Sequence, residues 1–414
     1  MSKQATDSPQ AYNYCALPLA AYASRPDLSR GRLYDEPESR HRTAYQRDRD
    51  RIIHSSAFRR LKEKTQVFVA HEGDHYRTRL SHTLEVAQIT RTLARCLMVN
   101  EDLAETIALA HDLGHTPFAH MGEDALKLCM ENLGGFAHND QSLRILTTLE
   151  QKYPEWNGLN LTWETLEGVA KHNGPVLEKD ELPSRDNLPI ALFELNKKVD
   201  MELHNYASIE AQVAAISDDI AYNNHDVEDG LRAGMFTLQH IIEDVELVAD
   251  GVRQVKKKYG ADLDEKYLVS ETIRVMMGVM VDDVLTETKK RLTQVNPQSP
   301  VDVANACLQI VSFSTEMEER VNQLRKFLFK HMYYHYTVLR IKANVDRIIP
   351  DMFSAFHGNY HLLPTHWQAR VEMNGGKIDD IARARVVCDY IAGMTDRFAI
   401  LEHQRLTDPS LGLK

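Results

Sequence analysis

The stretch Ala108–Glu123, ALAHDLGHTPFAHMGE, gathers three histidines, an aspartate and a glutamate around one helix end and one turn. His111 and Asp112 are adjacent, His115 follows four residues after His111, and His120 and Glu123 come soon after. Gly114, Thr116 and Pro117 break the helix where these side chains collect. A helix that ends on His-Asp and then bends can aim several polar groups at one point. A single histidine there would be explained by the negative end of the helix dipole. This density instead points to a metal or catalytic site, and histidine with carboxylate suits Zn, Mn, Fe, Ni or Mg.

Working outward, the chain has 414 residues, a formal net charge of −11 and an apolar fraction of 43%, enough for one large core or two modest ones. The acidic balance argues against broad nucleic-acid coating but leaves room for a local basic pocket. Five scattered cysteines (Cys15, Cys96, Cys129, Cys307 and Cys388) form no CxxC pair, which fits small core thiols in a reducing, cytoplasmic setting. Tyr14–Ser24 mimics a signal peptide faintly, but it lacks a basic start, follows Asp7 and contains Pro18. No apolar run reaches transmembrane length.

Apolar residues at helical spacing dominate. The pattern predicts helices from about Thr43 and over Arg79–Met98, Asp102–Leu113, Gly122–Cys129, His138–Gln151, Thr162–His172 and Ile209–Gly230. Further helices are predicted over Leu231–Val248, Tyr267–Gln294, Pro300–Val311, Met317–Ile349 and Arg385–Leu401. Val176–Pro189 reads as a flexible loop. Gln66–Ala70 reads as a short strand before a Gly73-Asp74 turn. The expected fold is all-α, a helical bundle with additional C-terminal helices and at most a small β-hairpin. The expected organisation is a flexible arm over 1–28, a catalytic core over 29–250 and a helical region over 251–414 packed on it.

Three chain-distant pieces fit one ion: His82 on a helix, His111 with Asp112 at the end of the next, and Asp218 or Asp219 on the Ile209–Gly230 helix. A helical wheel through Val213, Ile216, Ile220, Val227 and Leu231 puts Asp219 nearer the buried side. Asp218, Tyr222 and Asp226, spaced by four, share one face.

This order of ligands resembles the HD-domain metallophosphohydrolases. The surrounding text narrows the likeness to their dGTPase-like branch, the deoxynucleoside triphosphate triphosphohydrolases. The similar segments are RIIHSSAFRRLKEKTQVF (51–68), RTRLSHTLEVA (77–87), 110–123, HNDQSLRIL (138–146), TLEGVAKHNGP (165–175), 208–230 and RVVCDYIAGMTDR (385–397). The resemblance implies an HD-domain bundle that cleaves a dNTP to deoxynucleoside and triphosphate. It implies a divalent ion on His82, His111, Asp112 and Asp218, counting Asp218 rather than Asp219 back from Tyr222. It implies His120 and Glu123 as a catalytic pair, with His138 assisting proton transfer. It places Arg60, Gln66, Arg79, His115, Lys171, Tyr222 and Asp226 around the substrate, with Tyr222 and Asp226 at the deoxyribose. It also implies a homo-oligomer in which an activating nucleotide can bind.

Two other readings compete. Another HD phosphohydrolase would act on nucleoside monophosphates or cyclic nucleotides, with fewer cations near the metal. A regulatory nucleotide-binding protein would keep the fold with little turnover, but the retained His120 and Glu123 count against it. The Arg-rich 40–60 stretch invites a single-stranded nucleic-acid partner, which overall acidity and sparse aromatic residues disfavour.

Overall fold

Helix starts are written into the sequence by capping residues. Thr43 and Thr78 form reciprocal capping boxes with Gln46 and Ser81. Asn100, Thr162, Ser208, Ser314 and Thr395 each accept an N–H of the first turn that would otherwise lack a partner. In the computed structural model, which describes residues 18–66, 77–372 and 379–411, these starts lead into 18 α-helices, with no strand among the described residues. The fold is therefore all-α.

The site is positioned by three mutually packed helices, Arg79–Cys96, Glu101–Ala110 and Ile209–Arg232. Their inward residues, including Val86, Leu93, Leu103, Ile107, Val213 and Ile220, are buried. The Trp163–Lys171 helix closes against them through Gly168, where a Cβ would lie 2.3 Å from Ile107 Cδ1. No larger residue fits at this crossing without displacing Ile107.

The apolar core does not break near residue 250. One buried cluster runs from Ala23 to Val338, because the Glu265–Val295 helix packs directly on Ile209–Arg232. A second cluster joins Phe118, Ala125 and Leu126 to Ile349, Phe353, Val387 and Ile391. The C-terminal helices therefore brace the segment carrying His120 and Glu123.

Several expectations are corrected. Part of the predicted N-terminal arm is anchored: Ala23 is buried, and Ser24 donates through its N–H and hydroxyl to Glu210. The predicted Gln66–Ala70 strand falls mostly outside the described residues, as does the Gly73-Asp74 turn; their flanks meet in one antiparallel Thr65–Thr78 bridge. The Val176–Pro189 loop is pinned by buried Leu177 and Leu188. The predicted Leu231–Val248 helix is interrupted at Gly234 (φ 66°), a left-handed conformation that glycine adopts freely. The helix starting at Pro300 ends at Ala304. The predicted Met317–Ile349 run divides into Thr315–Leu328, a π turn at Phe329–Tyr333 and Tyr336–Gly358. The Arg385–Leu401 run is broken at Gly393, before the Thr395 cap. Among the described residues no helix is long and apolar enough to cross a membrane.

Candidate metal centre and adjoining histidine cluster

His82 stands in the first turn of its helix, His111 caps the C-terminus of the next, and Asp218 lies midway along Ile209–Arg232. Helix packing brings their ligand atoms within 4.8 Å of one another. His82 Nε2 lies 2.9 Å and His111 Nε2 3.6 Å from Asp218 Oδ1. Asp112 adds a second carboxylate, with Oδ1 3.3 Å from His111 Nε2. His82 is sealed at 1% side-chain exposure while Asp218 is 39% exposed, so the group opens to solvent on the Asp218 side.

The hydrogen bonds of these residues suit them to a metal. His111 Nδ1 lies 2.6 Å from the Ala108 carbonyl, which only accepts, so Nδ1 carries the proton. In its neutral form the ring therefore turns the lone pair of Nε2 toward two carboxylates, and Nε2 is buried without a hydrogen bond. Burial opposes charging of His111, but Asp112 and Asp218 outweigh it and raise its pKa to about 9. A pocket that holds an imidazolium against burial equally favours a bound cation. The donor set fits a divalent ion.

A relay behind His82 reinforces this fit. His225 Nε2 lies 2.6 Å from the Glu85 carboxylate, so it donates and leaves His225 Nδ1 as an acceptor. His82 Nδ1, 3.1 Å away, then donates to it, which leaves the lone pair of His82 Nε2 facing the Asp218 side. His225 follows Asp218 by seven residues and Glu85 follows His82 by three, so helical spacing alone could have singled them out.

Of the two candidate aspartates, only Asp218 joins the group. Asp219 turns away and pairs with Arg325 at 2.8 Å.

Asp112 also touches the second cluster, with Oδ1 3.1 Å from His115 Nδ1, while its Oδ2 accepts from Arg79 at 3.0 Å. Burial works against the Asp112 anion, yet His111 and Arg79 hold its pKa well below the usual range. His115, His120, Glu123 and His138 come together beyond it. Glu123 takes the His138 backbone N–H at 2.9 Å and the His138 Nδ1 at 2.8 Å, and approaches His120 Nδ1 at 3.3 Å. Burial raises the Glu123 pKa, but its bonds with His120 and His138 dominate and keep it ionised. Both rings thereby turn Nε2 away from Glu123. His115 stacks on His138 with centroids 4.0 Å apart; burial and Arg79 depress its pKa, so the ring is neutral.

Tyr222 and Asp226 meet as their spacing implies, and Tyr333 joins them. The Tyr222 and Tyr333 hydroxyls bond to each other, and Tyr333 donates to Asp226. Burial raises the Asp226 pKa to about 8 despite Tyr333. Tyr333 is 107 residues from Asp226, beyond any local spacing signal. Burial and nearby His111 depress the pKa of His172 to about 4.

Two predicted substrate residues, Lys171 and Arg60, are engaged elsewhere. Lys171 donates to Glu167 at 3.0 Å and to the Glu202 carbonyl at 2.9 Å, both inside the fold, so its ammonium is occupied there and not at the metal group. Arg60 lines a separate cavity of about 380 Å³ with Gln141, Trp367, Arg370 and Tyr390. Gln66 is buried, with Oε1 unpartnered among the described residues.

A His…His-Asp…Asp group on an all-helical scaffold defines the class: this is an HD-domain protein, with the HD domain matched over residues 79–223 and a phosphohydrolase-associated domain over 311–405. More narrowly, the chain belongs to the family of deoxyguanosinetriphosphate triphosphohydrolase-like proteins. It is 54% identical to the member from Parvibaculum lavamentivorans over 94% of this chain and 96% of that one. It is 53% identical to the member from Caulobacter sp. strain K31 (94% and 96% covered) and 52% identical to that from Brucella ovis (94% and 95%).

Proposed function

We propose that this protein is a metal-dependent dNTP triphosphohydrolase that releases deoxynucleoside and triphosphate. The observation that carries the reading is the junction at Asp112. One carboxylate touches both a metal-type group and a His cluster organised around an ionised Glu123. The chemistry requires that adjacency, with charge neutralisation on one side of a phosphorus and proton delivery on the other.

His82, His111, Asp112 and Asp218 would hold the ion. When bound, it supplies positive charge that neutralises an α-phosphate and activates water. The water oxygen bonds to the α-phosphorus as the bond to O5′ breaks; the water gives up one proton and O5′ gains one. In its imidazolium form His120 gives O5′ the proton from Nε2 while its Nδ1–H stays on Glu123, and the proton given up by the water passes to solvent. His138, held by the same carboxylate, and the neutral ring of His115 form the wall beside the phosphates. Arg79 contributes a buried positive charge through Asp112. Tyr222, Tyr333 and Asp226 form the sugar pocket. A protonated Asp226 can exchange hydrogen bonds with a 3′-hydroxyl, while the tyrosine rings leave little space for a 2′-hydroxyl.

The reading is tested by chromatography of products after incubating the protein with each dNTP, singly and mixed, with Mn2+ or Mg2+. Deoxynucleoside plus triphosphate is expected, and activity confined to mixtures would add an activating nucleotide. Release of single phosphates from monophosphates, with all dNTPs intact, would overturn it. Elution volume and band shift of single-stranded DNA test the homo-oligomer and nucleic-acid alternatives.

A further inference from the structure

A third group of metal-ligating side chains lies outside the site described above. His240 and Asp244, one helical turn apart on Leu238–Asp244, face His331 from the π turn Phe329–Tyr333. We propose that His240, Asp244 and His331 form a second metal site, selective for borderline ions of the Zn2+, Ni2+ and Cu2+ type.

The geometry meets what such an ion requires. The ligand atoms lie within 4.8 Å of one another, and His240 Nε2 is 3.9 Å from Asp244 Oδ2. Zinc bonds of about 2.0–2.1 Å at tetrahedral angles separate donors by roughly 3.4 Å, so small side-chain rotations close the site. Two imidazoles and one carboxylate leave a fourth position for water. Nitrogen donors favour Zn, Ni and Cu over Mg, which prefers an oxygen shell.

Simple aromatic packing explains part of the arrangement. The His240 and His331 rings meet edge-on at 4.4 Å, and Phe327 lies against both. It does not explain why the carboxylate of Asp244 completes the group, nor why neither ring hydrogen-bonds to another described residue. Partial burial and the adjacent His240 lower the His331 pKa, which leaves its lone pair available.

The π turn gives the site a consequence. Two residues after His331, the same turn presents Tyr333 to Tyr222 and Asp226, with Met332 fully buried between them. An ion tying His331 to the Leu238–Asp244 helix would hold this turn, and Tyr333 with it, in one arrangement. This site stands independently of the proposed hydrolase activity.

The test is zinc titration of chelator-stripped protein against a chromophoric competitor, in the wild type and in His331→Gln, Asp244→Asn and His82→Ala variants. Two equivalents are expected for the wild type. His331→Gln and Asp244→Asn should lose one equivalent, or weaken it by at least about 10-fold, and keep the other. His82→Ala should keep the equivalent that these two lose. Unchanged metal-free melting temperatures would show that the variants fold. A hundredfold excess of Mg2+ should not displace the second equivalent. Overturning results are wild-type zinc stoichiometry and affinity in both His331→Gln and Asp244→Asn, a single equivalent in the wild type abolished by His82→Ala, or ready displacement by Mg2+.

Discussion

Asp396 Oδ1 accepts the backbone N–H of Phe118 at 2.9 Å across 278 residues of sequence. Its Oδ2 takes the Thr65 N–H at 3.0 Å and the Thr65 hydroxyl. Phe118 (φ 64°) and the next residue, Ala119 (φ 56°), are both left-handed, a conformation that costs a non-glycine residue of order 1 kcal/mol or more. His120 follows directly. A buried carboxylate in the C-terminal region therefore holds the strained turn that aims His120 and Glu123.

Asp396→Asn keeps the shape but removes the charge from three hydrogen bonds, so unfolding free energy should fall by about 1.5–3 kcal/mol. If Asp396 positions His120, kcat should fall while KM changes little. Denaturant titration and steady-state kinetics check both; full stability and unchanged kcat would refute the role.

The Glu85–His225–His82 relay predicts an effect on metal affinity. His225→Ala should weaken divalent-ion binding at the His82 group by roughly 10- to 100-fold, because His82 loses the partner that fixes its ring. Metal titration of stripped protein measures this. Affinity equal to the wild type would mean that the ring is fixed by packing alone.

His120→Ala should leave bound metal unchanged and lower turnover of the best dNTP by roughly 10²–10⁴-fold. His82→Ala should lose turnover together with the metal equivalent held by the His82 group. Elemental analysis alongside the product assay separates these outcomes, and a fully active His120→Ala protein would remove His120 from the chemistry.

Asp226 predicts a pH dependence of stability. Its folded pKa of about 8 lies above the ordinary carboxylate value of about 3.9. The neutral buried form contributes stability that is fully present below pH ~4 and is lost as pH rises through about 8. Between these limits the slope reaches at most ~1.4 kcal/mol per pH unit. Asp226→Asn lacks this titration. The variant should therefore gain on the wild type between pH 5 and pH 8, as read by urea unfolding of stripped protein. A difference that stays constant with pH would contradict the assignment.

Much of the fold and part of the site are legible in the sequence. Apolar periodicity and capping residues such as Thr43, Thr78 and Ser208 determine where most helices lie, because these signals act over three to four residues. The same short range places His111, Asp112 and His115 together, and puts Asp218, Tyr222 and Asp226 on one face. Only the packed structure separates Asp218 from Asp219, since the choice depends on His82 and His111 on one side and Arg325 on the other. Only packing brings the Glu202 carbonyl to Lys171, Tyr333 to Asp226 and Asp396 to Phe118. Local propensity carries no information about which distant helix supplies a partner. That is decided when whole apolar faces are buried against one another, and the polar contacts at their margins follow.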